Sequence, residues 1–403
     1  MAKSKLLETW NKPASLDPSS PLKRGRGKTA EGEPRLRRGE GDDSSLLESG
    51  ELFEELVQVL RDVLAIGKKE NKKTGFCIGN TTKKIDRDYF FTPIRNTSRC
   101  VAGSIVIDRV AIAEIVTRAV DGRVDYIFVD TEKKISPELY SLDDVGNVER
   151  AVRQSASKSK VLTYKGNDLT VDAVDCFLAQ CVTSDVRGLG GKKAAIIGAG
   201  NIGFKLALKL TERGCHVVMA RRNTKVLNTI VRALNYIKPR STIAKIIGTS
   251  DIQAAMVGAD IVIGLTPGTQ DITVEMVQGV KDGAVLIDAG KGSFSGEAVA
   301  AAESRKLQIY RASIAASFEG QIAMLLKMEE VLEREVGRRE VEGIFIISGS
   351  LMGRKGDLVV DNIFNPTQIY GVADGCGDFN RTPSDEELEN IRILKDLFQL
   401  GRE

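Results

Sequence analysis

The sequence predicts an α/β protein: a doubly wound parallel sheet, preceded by a smaller α/β layer and followed by a β-rich appendage. Two observations carry that prediction. Between 191 and 317, short apolar runs (AAIIG, CHVVMA, AKIIG, ADIVIGL, AVLIDAG and LQIYRA) alternate with helical segments, as strands buried on both faces do. Between 45 and 169 a shorter strand–helix rhythm precedes them, which marks a smaller α/β layer. The 403 residues are enough for two domains with cores of their own.

Taken in order, residues 11–43 are rich in Pro, Gly, Ser and charges of both signs and carry almost no large apolar side chain. Such a stretch cannot bury enough surface to offset its ordering entropy, so 1–44 is expected to be an unfolded tail. From Ser45 the texture changes. The sequence from Ser45 to Glu48 can form a capping box, and Leu47, Phe53, Leu56, Leu60, Val63 and Leu64 recur at helical spacing. An apolar strand at 101–107, a helix beginning DRVAIAEI, a strand at 124–130, a helix over about 137–156 and a strand at 160–164 complete a layer spanning 45–169. A helix opening at Thr170 and the glycine-rich SDVRGLGGKK make 170–190 a connector. After the second layer, 191–317, residues 318–403 hold a long amphipathic helix (FEGQIAMLLKMEEVLEREVGRREVE), three strand-like pieces (GIFIISG, GDLVVDNI, QIYGVADG) and a charged final helix. A small antiparallel appendage or a subunit contact are the readings of that tail.

Composition narrows the chemistry. The single histidine, His216, opens a strand and is expected to pack near a sheet. A general acid or base must therefore come from Lys, Asp, Glu, Tyr or Cys, and multi-histidine zinc chemistry is excluded. The six cysteines include no CxxC pair and read as free thiols in the core. No metal site is expected. A net charge of +3 and 5% aromatic residues give no case for nucleic acid. With no apolar run of membrane-spanning length and no leader-like start, a cytoplasmic protein acting on a small molecule is expected. The assembly state stays open, a homodimer being one option.

The motif with most content is GAGNIG at 198–203, which follows a strand and opens a helix. In that setting Gly198 makes the tight turn, Gly200 lets backbone approach a pyrophosphate, and Gly203 lets the helix pack close on the strand. The amides of Asn201 and Ile202 start the helix, whose N-terminus favours phosphate. This is the glycine fingerprint of a Rossmann dinucleotide site. An NAD site carries Asp or Glu at the end of the next strand. Here that place reads ARRNTK, so Arg221, Arg222, Thr224 and Lys225 are assigned to the 2′-phosphate of NADP(H), with NAD(H) the lesser alternative. Thr266, Pro267 and Gly268 end one strand-like run, and Asp288 and Gly290 end another. Loops at strand carboxyl ends line the crevice of such sheets, so these five are also expected at the cofactor.

On DVRGLGGKKAAIIGAGNIG, ARRNTK, ADIVIGLTPG and GAVLIDAG the chain resembles the two-domain dehydrogenases that include shikimate dehydrogenase, methylenetetrahydrofolate dehydrogenase and the reductase domain of glutamyl-tRNA reductase. The likeness covers about 165–335 in sequence and 45–165 only in the order of elements. It implies an N-terminal substrate domain, linking helices near 170–182 and 318–336, and a cleft that closes over substrate and nicotinamide. Shikimate-type members place a Lys–Asp pair in that cleft, the lysine on a G-N-x-T-x-P-x-K loop. GNTTKK at 79–84 echoes this loop without its proline. The resemblance thereby implies Lys84 and Asp172 as the catalytic pair, with Thr170 and Gln321 near the substrate. A lysine beside a carboxylate can move a proton at the substrate oxygen or hold charge there. The expected activity is NADP(H)-dependent hydride transfer to or from a small polar metabolite. The alternatives are a folate-type methylene-carrier dehydrogenase and a non-catalytic NADP(H)-sensing protein.

Overall fold

The structure is a computed structural model and describes residues 43–81, 87–135, 147–182, 185–348 and 351–401. The chain divides into two compact units, Met1–Ser49 and Gly50–Glu403. Of the first, only 43–49 are described, and they are helical; the remainder of the expected tail lies outside the described residues. Helix α1 (Asp43–Glu70) begins ahead of the expected capping box. Its core face is Leu52, Leu56, Leu60 and Val63, whereas Phe53 is 52% exposed. Leu56, Leu60 and Val63 are buried as expected, Leu52 takes the place of Phe53, and Leu64 is half-buried; the side chain of Leu47 lies outside the described residues.

The first sheet holds β1 (Lys73–Asn80), β2 (Tyr89–Asn96), β3 (Cys100–Ile107), β4 (Tyr126–Asp130) and β5 (Lys160–Tyr164) in the order β2-β3-β1-β4-β5. All pairings are parallel except that of β2, the edge strand, with β3. Strands β1 and β2 are additions to the sequence reading. One face packs on α1, α2 (Val110–Val120) and α3 (Val148–Ser155) through Phe76, Ile78, Ile105, Val116, Ile127 and Val152. Segment 136–146 of the expected helix lies outside the described residues. The other face, with Cys77, Ala102, Tyr126 and Phe128, is covered by Phe318, Ile322 and Leu326 of α10 (Ala315–Glu330).

Helix α4 (Gly166–Cys181) opens a turn earlier than expected and leads into the second sheet. That sheet consists of β6 (Lys193–Ile197), β7 (His216–Ala220), β8 (Ile246–Thr249), β9 (Ile261–Gly264), β10 (Val285–Asp288) and β11 (Gln308–Arg311). Its order is β11-β10-β9-β6-β7-β8, every pair parallel. The expected doubly wound sheet is present. On one face Val174 and Leu178 of α4, Leu206 and Leu210 of α5 (Asn201–Glu212), and Leu227 and Leu234 of α6 (Thr224–Ile237) meet Ile196, Ile263 and Ile287. On the other, Met256 of α7 (Ile252–Met256), Val277 of α8 (Val274–Gln278) and Ala298 of α9 (Gly296–Ser304) meet Ile197, Val262 and Leu286.

Helix α10 runs on into a π-helical turn, Val331–Glu335, where the expected single long helix ends. The third sheet, β12 (Arg338–Val341), β13 (Ile344–Ser348), β14 (Leu358–Val360) and β15 (Ile369–Val372), is mixed, since β13 and β14 pair parallel. Leu394 of α11 (Asp385–Leu397) completes its core. Three thiols (Cys77, Cys100, Cys215) are buried, but Cys176 and Cys376 are exposed, a correction to the expected interior set. Among the described residues no helix is long and apolar enough to cross a membrane, and no group of three or more His, Cys, Asp or Glu is placed to hold a metal.

Candidate functional site

The strand order of the second sheet reverses between β6 and β9, and ligands of open α/β sheets bind in the crevice above that point. The residues there are the glycine turn after β6 and the Thr266 loop after β9. Gly198 has φ +112°, open to glycine, and a Cβ there would lie 3.0 Å from the Leu265 carbonyl carbon. At Gly203 a Cβ would lie 2.2 Å from the Gly198 oxygen, so the helix rests directly on the turn. Gly200 is different: no heavy atom lies within 4 Å of where its Cβ would stand. This spot is open to solvent, beside the first-turn amides of α5, those of Asn201 and Ile202 among them, which have no partner among the described residues.

The basic segment after β7 splits in two. The Arg221 backbone amide donates to the Thr249 carbonyl, 3.1 Å, and its guanidinium donates to the Ala199 carbonyl, so the side chain lies over the glycine turn. Arg222 points outward, 81% exposed, with Asp271 at 3.1 Å. Asn223 caps α6 by accepting the Val226 amide, which leaves Thr224 and Lys225 exposed on the first turn.

Two loops close the other side. The Thr266 Oγ1 is buried and has no hydrogen-bond partner among the described residues, an arrangement that calls for a ligand or solvent. Pro267 and Gly268 beside it are exposed. The Thr266 carbonyl accepts the Ser293 hydroxyl, 2.9 Å, and a Cβ at Gly290 would meet that carbonyl at 2.3 Å. The Asp288 carboxylate accepts the amides of Gly290 (3.0 Å) and Gly292 (2.6 Å). It holds its own loop in shape. His216 opens β7 at the opposite end of the sheet from all of this and is exposed rather than packed.

Helices α4 and α5 lie side by side and run in the same direction, joined by a ladder of charges. Asp168 pairs with Lys205, Asp172 with Lys209 at 3.0 Å, and Asp175 with Arg213 through two bonds of 2.7 and 2.8 Å. Partners recur every three or four residues, one rung per turn. Asp172 is therefore placed as a rung between the helices, and Lys84 lies outside the described residues.

Above the ladder sits a group that the sequence did not point out. Lys134, 19% exposed, lies 2.8 Å from both Asp130, 3% exposed, and Glu132. Asn80 at the end of β1 ties in from below, donating to the Asp130 carbonyl (3.0 Å) and accepting the Lys134 amide (3.2 Å). Glu132 accepts the Asn167 amide, 2.7 Å, and the Asn167 side chain reaches Asn201 of the glycine motif, 3.3 Å. The half-buried Lys134 is linked to the glycine turn through Glu132 and Asn167, contacts that exist only in the folded chain. Gly166 is part of the construction, since a Cβ there would lie 2.7 Å from the Asp130 Oδ2. Gly166→Ala is expected to destabilise the fold by about 1–3 kcal/mol in denaturant unfolding. An unchanged midpoint would mean that the carboxylate can move aside.

Residues 193–350 match the family described as NAD-dependent glycerol-3-phosphate dehydrogenase N-terminus. A glycerol-3-phosphate dehydrogenase [NAD(P)+] of Limosilactobacillus fermentum is 33% identical over 109 residues, 25% of this chain and 32% of that protein. The chain thus spans about a third of the length of the curated relative it matches. Among solved structures, L-tryptophan dehydrogenase from Nostoc punctiforme (TM-score 0.38, 15% identity) covers 64% of this chain and is itself covered to 74%. Glutamate dehydrogenase from Thermus thermophilus (0.38, 12%) covers 66% and is covered to 70%.

Proposed function

We propose that the protein is an NAD(P)-dependent dehydrogenase that moves a hydride to or from a small polar metabolite between the first and second sheets, with NADP(H) as its preferred cofactor. The observation that carries this reading is the set of groups at the switch point: the open side of Gly200, the first-turn amides of α5, and the Thr266 hydroxyl, buried without a partner among the described residues. The match of 193–350 to a nucleotide-dependent dehydrogenase family supports it. The name printed for the matched relative, glycerol-3-phosphate dehydrogenase, is not carried over as a substrate, because the shared stretch is about a third of that protein.

In this reading Gly198, Gly200, Asn201, Ile202 and Gly203 hold the pyrophosphate. Arg221, Arg222, Thr224 and Lys225 take the 2′-phosphate. Thr266, Pro267 and Gly268 wall the nicotinamide end, and Asp288 and Gly290 keep that wall in register. When bound, the nicotinamide supplies the hydride chemistry. This chain's own task is to orient the substrate and to move a proton at its oxygen. Lys134, caged by Asp130 and Glu132 next to Asn167, is a group for that task, and Lys84 is a second candidate for it. Asp172 could join only by giving up Lys209. The sequence resemblance to shikimate-type dehydrogenases remains part of this proposal, supported by two α/β layers with a helix leading from one to the other.

The test is a parallel titration with NADPH and NADH, followed by nicotinamide fluorescence, on the parent and on Arg221→Ala/Arg222→Ala. Losing charge-assisted bonds to a phosphate is expected to weaken NADPH binding by about tenfold or more and to leave NADH nearly unchanged. Equal affinity of the parent for both nucleotides would refute the NADP(H) preference. Absence of binding by either would refute the nucleotide site itself, and tight binding without turnover on a metabolite panel would turn the reading to a sensor.

A further inference from the structure

The face of the first sheet that α10 covers carries polar groups that the nucleotide site does not use. Strand β2 has a register shift between Thr92 and Arg95: Thr92 pairs with Ser104, and Arg95 pairs with Ala102. In a regular strand two residues three apart point to opposite faces. The bulge, which contains Pro93, turns both to the face that holds Cys77 and Ala102. Pro93 suits an edge strand there because it needs no ladder partner for an N–H.

Neither group has an ionic or hydrogen-bond partner among the described residues. The Thr92 Oγ1 is buried without a hydrogen-bond partner among the described residues. Arg95 is half-buried, and its guanidinium rests over the Phe318 ring of α10, 5.3 Å from the centroid. Among the described residues no carboxylate pairs with it, while neighbouring Arg99 is taken by Glu330 and Glu319 is taken by the Ser98 amide. Tyr164 lies on the same face, its hydroxyl 3.6 Å from where a Cβ of Gly79 would stand. Burial first, then Cys77 and Asp130, raise the Tyr164 pKa, so it stays a neutral phenol able to donate. Arg95 is near enough to oppose that rise. The orphaned Thr92 hydroxyl is costly unless a ligand answers it, and the Arg95 guanidinium beside it has no carboxylate partner among the described residues and is half open to receive an anion.

We propose that Arg95 and Thr92 form an oxyanion site, on the face that Tyr164 also lines, that holds the carboxylate of the substrate against the first sheet. The role in substrate binding rests on the dehydrogenase reading above, but the oxyanion site does not. It narrows the metabolite to a small acid. Arginine suits the task because its planar fork matches a carboxylate, and stacking on Phe318 fixes its plane.

The experiment is calorimetric titration of the full chain with oxalate, and separately with inorganic phosphate, in the presence and absence of saturating NADP+. NADPH binding is followed in parallel by fluorescence as a check of the nucleotide site. The variants are Arg95→Gln, Arg95→Lys, Thr92→Val and the control Arg99→Gln. Oxalate affinity is expected to fall about tenfold or more in Arg95→Gln. It should recover in part in Arg95→Lys, fall several-fold in Thr92→Val and hold in Arg99→Gln, with NADPH binding unchanged throughout. Thr92→Val should also raise the melting temperature of the free protein, because it removes an unsatisfied hydroxyl; a structural threonine would do the reverse. Phosphate binding in place of oxalate, with the same dependence on Arg95, would assign the oxyanion site to a phosphoryl group. Binding of neither ion by the parent, or oxalate binding that survives Arg95→Gln, would overturn the proposal. Failure of NADPH to bind while oxalate still depends on Arg95 would sink the dehydrogenase reading and leave the oxyanion site standing.

Discussion

Gly200→Asp is expected to abolish nucleotide binding while changing stability by less than about 0.5 kcal/mol, the range of ordinary surface substitutions. Gly200 is exposed, its φ of −97° suits any residue, and nothing lies within 4 Å of its Cβ direction. The new carboxylate would fill the empty space and set a negative charge against the phosphates. Gly203→Ala, three residues on, should act differently. Its methyl would press on the Gly198 carbonyl at 2.2 Å, so helix or turn must shift, at about 1–3 kcal/mol. Both affinity and melting temperature should fall. Titration and thermal unfolding on the two variants separate these outcomes. Equal destabilisation by both would show that the Gly200 space is a packing feature and not a ligand's place.

The second large effect concerns the caged lysine. Lys134→Met keeps the side-chain length but leaves Asp130 buried without its cation, and such uncompensated charges destabilise by about 3–5 kcal/mol. Asp130→Asn/Lys134→Met removes both charges and is expected to recover most of the loss in urea unfolding, a non-additivity of at least about 2 kcal/mol. Since Glu132 also holds Asn167, and Asn167 holds Asn201, nucleotide affinity should weaken along with stability in Lys134→Met. Additive losses in the double variant would mean that Lys134 and Asp130 do not act as a pair.

What the sequence shows of this molecule follows from how each element is buried. The strands of the second sheet are covered on both faces, so each appears as an uninterrupted apolar run, and the glycine turn is legible because its chemistry is local. Strand β1 is hidden by its own glycines, Gly75 and Gly79, which break the apolar run. Strand β2 is hidden by Pro93 and the bulge, which spoil its alternation and at the same time bring Thr92 and Arg95 to one face. Asp288 lies at a strand end, where a contact residue is expected, and only the backbone path shows its carboxylate turned into its own loop. Asp172 has the right residue type on the right helix. That its partner is Lys209 depends on α4 and α5 lying parallel, which neither segment encodes by itself.

The central claim is that a nicotinamide dinucleotide binds where the second sheet reverses its strand order. Hydrogen exchange of the full chain with and without saturating NADPH tests it at the level of single segments. Slowed exchange is expected in the amides of 198–204 and of Leu265, Thr266 and Gly268, with 338–401 unaffected. Unchanged exchange in 198–204 at a concentration that saturates binding would contradict it, because the nucleotide would then be held somewhere else.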